Sequence, residues 1–194
     1  MPFKNKKYIS KALQIFKQEG LKLSLDELAD RMSVSKKTLY NHFNSKEELH
    51  TACMQSMFSE LNQKVEILTD DSKNAIECMR EGFKGLETVL FQLSPLFIND
   101  MQRLYPDIVY SSHSSDVDFF KKRIRENIEK GILEGVYTPD IDVAFFSQYI
   151  SYSVFGFYFH SVVISTDFSS STYFNTVLEF TLKGLVSEKG RLLL

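Results

Sequence analysis

Between residues 35 and 46 the chain sets hydroxyl, ammonium, phenol, amide and imidazole groups in close succession: Ser35, Lys36, Lys37, Thr38, Tyr40, Asn41, His42 and Lys46. The apolar residues between them, Val34, Leu39 and Phe43, fall in with Leu25, Leu28 and Ala29 as a small core. With Leu39 and Phe43 turned inward on a short helix, the polar side chains are left facing out. Cations mixed with neutral hydrogen-bonding groups on such a helix suit phosphate contacts and base edges in a DNA major groove. Other chemistries lack their groups. There is no Gly-rich phosphate loop, no GxSxG, no HExxH and no carboxylate pair beside an evident base. His42, His50, His113 and His160 are scattered, and Cys53 and Cys78 stand alone. No catalytic residue, metal site, cofactor or disulfide framework is expected.

The elements that must position these residues are readable from caps and periodicity. A first helix is expected from Lys4 to Gln18, with Tyr8, Ile9, Ala12, Leu13, Ile15 and Phe16 in helical register and Gly20 at its end. Ser24 with Glu27 forms a capping box for a second helix, and Ser35 caps a short third one. Ser45 with Glu48 is expected to be a second capping box, opening a long fourth helix that runs to Leu68. Two short helices joined by a tight turn, the second basic at its start, form a helix-turn-helix. Further helices are expected near 72–93, 95–104, 116–134, 139–164 and 169–188, so the fold class is all-α. The expected organisation is an N-terminal three-helix DNA-binding domain at 1–48, then a helical ligand-binding and dimerisation domain at 49–194.

Charge supports this division. The chain of 194 residues has a net charge of -2, yet residues 1–50 hold ten Lys and Arg against six Asp and Glu, and the remainder holds 13 against 19. A basic head on an acidic body suits a polyanionic partner at the head. The stretch 143–166 carries no charged residue, but its serines, Gln148 and His160 argue for a buried helix and not a membrane span. The first residues, MPFKNKKYIS, have no apolar signal region, so the expected location is the cytoplasm.

The run Ala29, Val34-Ser35, Thr38-Leu39-Tyr40-Asn41-His42-Phe43 and Ser45-Lys46-Glu47-Glu48-Leu49 resembles the TetR family of bacterial regulators, whose pattern is approximately A-x-x-x-G-V-S-x-G-T-L-Y-x-H-F-x-S-K-E-E-L. It covers about a quarter of the chain. A weaker likeness continues at Gly131-Ile132-Leu133, Pro139-Asp140-Ile141-Asp142 and Ala144. The resemblance implies a transcriptional regulator, repressing by the family's habit. Tyr40, His42 and Lys46 would then position phosphates, and Lys36, Lys37 and Asn41 would read bases. Ser33 and Lys37 stand where the pattern has glycines. Ser33 is strained if its position needs positive φ, and Lys37 adds a cation to the reading surface.

One head covers half a site, so the expected partners are a double-stranded, near-palindromic DNA operator and a second copy of the chain. Tyr149, Ser153, Gly156 and His160 fall on one helical stripe, and Phe174, Leu178, Thr181, Leu182 and Leu185 on another. These stripes are the expected dimer interface, although an intrachain core would show the same pattern. The resemblance further implies a cavity for a small-molecule effector. Phe91, Phe97, Met101, Tyr105, Phe120, Tyr152, Phe155 and Phe159 are the expected lining, suited to an apolar or aromatic ligand. Plain core packing is the competing reading for each of them. The alternative function is a helical ligand- or protein-binding module whose head is only scaffold. The clustered lysines speak against it, since a disused head has no need of them.

Overall fold

The computed structural model describes residues 5–106, 115–157 and 170–194. Its helices are α1 (Lys6–Glu19), α2 (Leu25–Arg31), α3 (Lys36–Tyr40), α4 (Lys46–Val65), α5 (Ala75–Leu90), α6 (Pro95–Leu104), α7 (Ser115–Leu133), α8 (Val143–Ser151), α9 (Ser170–Leu185) and α10 (Glu188–Arg191). A 3-10 turn at Glu66–Thr69 follows α4, and a π turn at Tyr152–Phe157 follows α8. Among the described residues there is no strand beyond one isolated bridge between Tyr137 and Val186, so the fold is all-α.

The chain forms two compact units. One comprises Met1–Glu60 with Gln92–Pro106, the other Leu61–Phe91 with Asp107–Leu194. A single division after residue 48 therefore does not describe them, because α6 folds with α1–α3 and the first part of α4. The reason is chemical. The Asp100 carboxylate, 4% exposed, accepts the Leu21 N–H at 2.9 Å and pairs with Lys22 at 3.4 Å. The Ser94 N–H bonds the Lys17 carbonyl at 2.8 Å, and the buried Lys17 ammonium donates to Gln92 at 3.1 Å. Gly20 makes this junction possible: its φ is 84°, and a Cβ there would sit 2.6 Å from Asp100 Oδ2. Phe97, Ile98 and Met101 of α6 are fully buried, as are Ala12 and Phe16 of α1.

The larger unit is built around α5 and α7. Buried Asn127 of α7 donates to the Leu68 and Ala75 carbonyls at 2.8 and 3.0 Å, and the Tyr137 hydroxyl bonds the same Ala75 carbonyl at 3.1 Å. Lys130 adds bonds to the carbonyls of Asp70 and Lys73. These side chains satisfy the backbone of the turn between α4 and α5, whose buried carbonyls would otherwise be costly.

Two helices depart from expectation. The helix expected over 139–164 begins only at Val143, where Asp142 caps it by accepting the Phe145 N–H at 2.9 Å. It then widens into the π turn, and residues 158–164 lie outside the described residues. The second capping box is incomplete. Ser45 Oγ accepts the Glu48 N–H at 3.1 Å, but the Glu48 carboxylate reaches back to the Asn44 N–H at 2.8 Å instead of the Ser45 N–H. The first capping box, Ser24 with Glu27, is complete, and its bonds hold the Glu27 carboxyl below the ordinary carboxylate range.

Candidate nucleic-acid interface

In the smaller unit, α2 and α3 close on a core of Leu25, Leu28, Ala29, Met32, Leu39 and Phe43, all buried. Val34 is half-buried. The turn between the helices ends α2 in a Schellman arrangement: Val34 N–H bonds the Ala29 carbonyl and Ser33 N–H bonds the Asp30 carbonyl, each at 3.0 Å. Ser33 takes the left-handed position of that motif with φ 55°, the one non-glycine with positive φ among the described residues. The strain foreseen for a serine at this place is therefore present.

Within α3 the polar side chains divide by what they touch. Ser35 caps the helix by accepting the Thr38 N–H at 3.0 Å, and the two hydroxyls bond each other at 2.7 Å. Both are thus engaged in holding the helix start. Lys36 forms an ion pair with Asp26 of α2 at 2.5 Å, and this bond raises its pKa. Lys37, Tyr40 and Asn41 are exposed, and Lys37 has no ion pair among the described residues. Lys46 is half-buried at the start of α4.

His42 has a second task that sequence reasoning missed. Its Nδ1 lies 2.8 Å from Asn5 Oδ1 while Asn5 Nδ2 donates to the His42 carbonyl at 3.1 Å, and its ring leans on Tyr8 at 4.4 Å. Because the amide nitrogen of Asn5 faces the carbonyl, Oδ1 is the acceptor and His42 Nδ1 carries the proton. The end of α3 is thereby tied to the start of α1. No periodicity signals such a polar tie across 37 residues.

The residues expected to line an effector cavity are not gathered in one place. Phe97 and Met101 are core of the smaller unit, where the Tyr105 hydroxyl lies 2.7 Å from His50 Nδ1. In the larger unit Phe120 and Phe155 are buried and meet edge to face at 5.1 Å. Phe91 and Tyr152 are exposed on their helices, contrary to a lining role in an enclosed cavity. Phe159 lies outside the described residues. Clefts of the larger unit are lined by other side chains, one of about 280 Å³ by Arg80, Phe83, Lys84, Glu87 and Phe174.

The expected dimer stripes also need correction. Ser153, Phe174, Leu178, Thr181, Leu182 and Leu185 are buried within the chain itself, so the inner face of α9 is intrachain core. The π turn breaks the stripe of α8, since its wider turn no longer repeats at 3.6 residues. Gly156 is half-buried, with the Tyr152 ring where a Cβ would stand, and His160 lies outside the described residues. On α8, its π turn and α9 the exposed aromatics are Tyr149, which belongs to the expected stripe, with Phe145, Tyr152 and Phe180. Among the described residues no cluster of His, Cys, Asp or Glu could hold a metal, and no helix is long and apolar enough to cross a membrane.

A short basic helix presented by a Schellman turn and capped by serine defines the class: an all-α protein with a helix-turn-helix head. Residues 9–53 match the family of bacterial regulatory proteins, tetR family. An uncharacterized HTH-type transcriptional regulator, YvaF, of Bacillus subtilis is 24% identical over 104 residues, which is 53% of this chain and about half, 55%, of that relative. The HTH-type transcriptional repressor KstR2 of Mycobacterium tuberculosis is 24% identical over 144 residues, 72% of each. Its structure, that of a ketosteroid transcriptional regulator, aligns with TM-score 0.64 and 20% identity over 94% of both chains. SmeT, the repressor of a multidrug efflux pump of Stenotrophomonas maltophilia, aligns with TM-score 0.67 and 15% identity over 93% of this chain and 89% of its own. The head at residues 9–53 is thus similar to that of bacterial regulatory proteins of the tetR family, and the all-α fold is that of solved structures of such regulators.

Proposed function

We propose that the chain is a repressor that acts in the cytoplasm as a homodimer, binds a near-palindromic DNA operator and is released or modulated by a small apolar or aromatic effector; no catalytic step belongs to this reading. The observation that carries it is the exposed set Lys37, Tyr40 and Asn41 on a helix whose other face is fully buried. In this reading α3 enters the major groove. Lys36, Lys37 and Asn41 face base edges, while Tyr40, His42 and Lys46 meet phosphates with Ser35 and Thr38 fixing the helix start. Lys36 must exchange Asp26 for DNA, so its net gain is smaller than that of Lys37. The effector belongs in the larger unit, where Phe120 and Phe155 are the buried part of the expected aromatic set. Four exposed aromatics on α8, its π turn and α9 supply an apolar face for the second copy.

The test is selection of bound duplexes from a random DNA pool, followed by affinity measurement with Lys36→Ala/Lys37→Ala. A near-palindromic consensus lost on double substitution, with the fold retained, supports the reading. Enrichment of no sequence, or unchanged affinity of the variant at physiological salt, contradicts it.

A further inference from the structure

His42 follows the last turn of α3 and is half-buried. Asn5 decides which of its ring nitrogens carries a hydrogen. The Asn5 amide donates from Nδ2 to the His42 carbonyl at 3.1 Å, so its Oδ1, 2.8 Å from His42 Nδ1, can only accept. Neutral His42 therefore keeps its hydrogen on Nδ1, and Nε2 presents a bare lone pair. Nε2 has no hydrogen-bond partner among the described residues. Tyr8 holds the ring from the side, the centroids 4.4 Å apart.

This tautomer matters for a phosphate. A lone pair at Nε2 repels a phosphate oxygen, whereas the imidazolium donates from Nε2 and keeps its Nδ1 bond to Asn5. The charged residues closest in the chain are cations on three elements: Lys6 and Lys7 at the start of α1, Lys37 on α3 and Lys46 on α4. Of the carboxylates opening α4, Glu47 is bonded to Ser45 and Glu48 to Asn44. Among the described residues no carboxylate stands within ion-pair distance of the ring. A phosphate of bound DNA is thus the anion that would favour the imidazolium. We infer that Asn5 is a positioning residue that makes the phosphate contact of His42 proton-linked, the head taking up a proton as it binds the duplex. The proton comes from solvent and is taken by the Nε2 lone pair, and no other covalent bond forms or breaks. Because the bound state holds more protons than the free one, affinity rises as pH falls through the ordinary histidine range.

This inference rests on the DNA-binding reading of α3, and the experiment separates the two. Nitrogen-15 spectra of the histidine rings in the free full-length chain, above the histidine range, should show His42 protonated on Nδ1 alone. Binding of the full chain, of His42→Gln and of Asn5→Ala to a fluorescent random-sequence duplex is then followed by anisotropy at fixed salt. Between about pH 8 and pH 6 the unchanged protein should gain about fivefold more affinity per engaged head than His42→Gln. The other histidines are common to both proteins and cancel in that comparison. Asn5→Ala lets neutral His42 carry its hydrogen on Nε2, so its pH dependence should fall toward that of His42→Gln. A neutral ring protonated on Nε2 in the free chain, or equal pH dependence of the unchanged protein and His42→Gln, overturns the inference and leaves the role of α3 intact. Full pH dependence in Asn5→Ala overturns the role of Asn5. Absence of any binding by the unchanged protein overturns the DNA-binding reading and this inference with it.

Discussion

Ser33 shows how a single residue reports on a turn. Its φ of 55° places a β-carbon in the left-handed region, where an L residue is disfavoured by about 1–2 kcal/mol. Ser33→Gly removes that strain but frees the unfolded chain, leaving a net gain of about 0.5–1 kcal/mol. The melting temperature should rise by about 1–4 °C in a thermal scan, and an unchanged or lower value would contradict the strain. This residue was legible in the sequence because the turn demands a particular backbone. The pairing of Lys36 with Asp26 was not, since either lysine of the pair 36 and 37 could have been the free one. Burial pushes the Cys53 thiol up to about 12, too high for reactivity near neutral pH.

At the scale of elements, helix starts were legible at the serine caps Ser24 and Ser35 but not at Asp142, which caps α8 beyond its expected start. The membership of α6 in the smaller unit was not, because Asp100 finds its partners at Leu21 and Lys22, Tyr105 at His50 of α4 and Gln92 at Lys17 of α1, and no local pattern announces them. His50 of α4 illustrates the consequence. It is 3% exposed, lies edge-on to Phe16 at 5.0 Å and bonds Tyr105, while its Nε2 has no hydrogen-bond partner among the described residues. Burial, aided by the Lys46 charge, pushes its pKa down to about 4. The unfolded chain takes up this proton near pH 6.5 and the folded chain only near pH 4. Stability from neutral His50 is thus complete above about pH 6.5 and lost as pH falls toward 4, a change of roughly 2–3 kcal/mol. Denaturant melts at pH 7.5 and 4.5 should therefore show a larger loss for the unchanged chain than for His50→Phe. Equal losses would contradict a buried neutral imidazole.

For the whole molecule, the association surface turned on one irregular turn. The Tyr152–Phe157 π turn rotates the residues beyond Ser151 away from an α-helical stripe, and α9 spends its regular apolar face on its own chain. Periodicity revealed that α9 was amphipathic but not which partner it met, since intrachain and intersubunit cores share one pattern. The faces open to the proposed second copy carry Phe145 and Tyr149, whose rings stack at 6.3 Å, and Phe180, 73% exposed. Replacing Tyr149 and Phe180 together by Glu should yield a folded monomer by sedimentation and weaken operator binding by at least about tenfold, as half-site contacts cease to be linked. A dimer of unchanged strength would contradict this surface.

In the proposed function α3 reads DNA through its exposed side chains, with Lys37 foremost. The most direct measurement is the affinity of Lys37→Ala and of Lys36→Ala for a selected operator and for random duplex at one fixed salt concentration. Lys37→Ala should lose more than Lys36→Ala and should narrow the gap between operator and random duplex, by about 1–3 kcal/mol for a lost base contact. Retention of the full gap by both variants, with the fold intact, would contradict it.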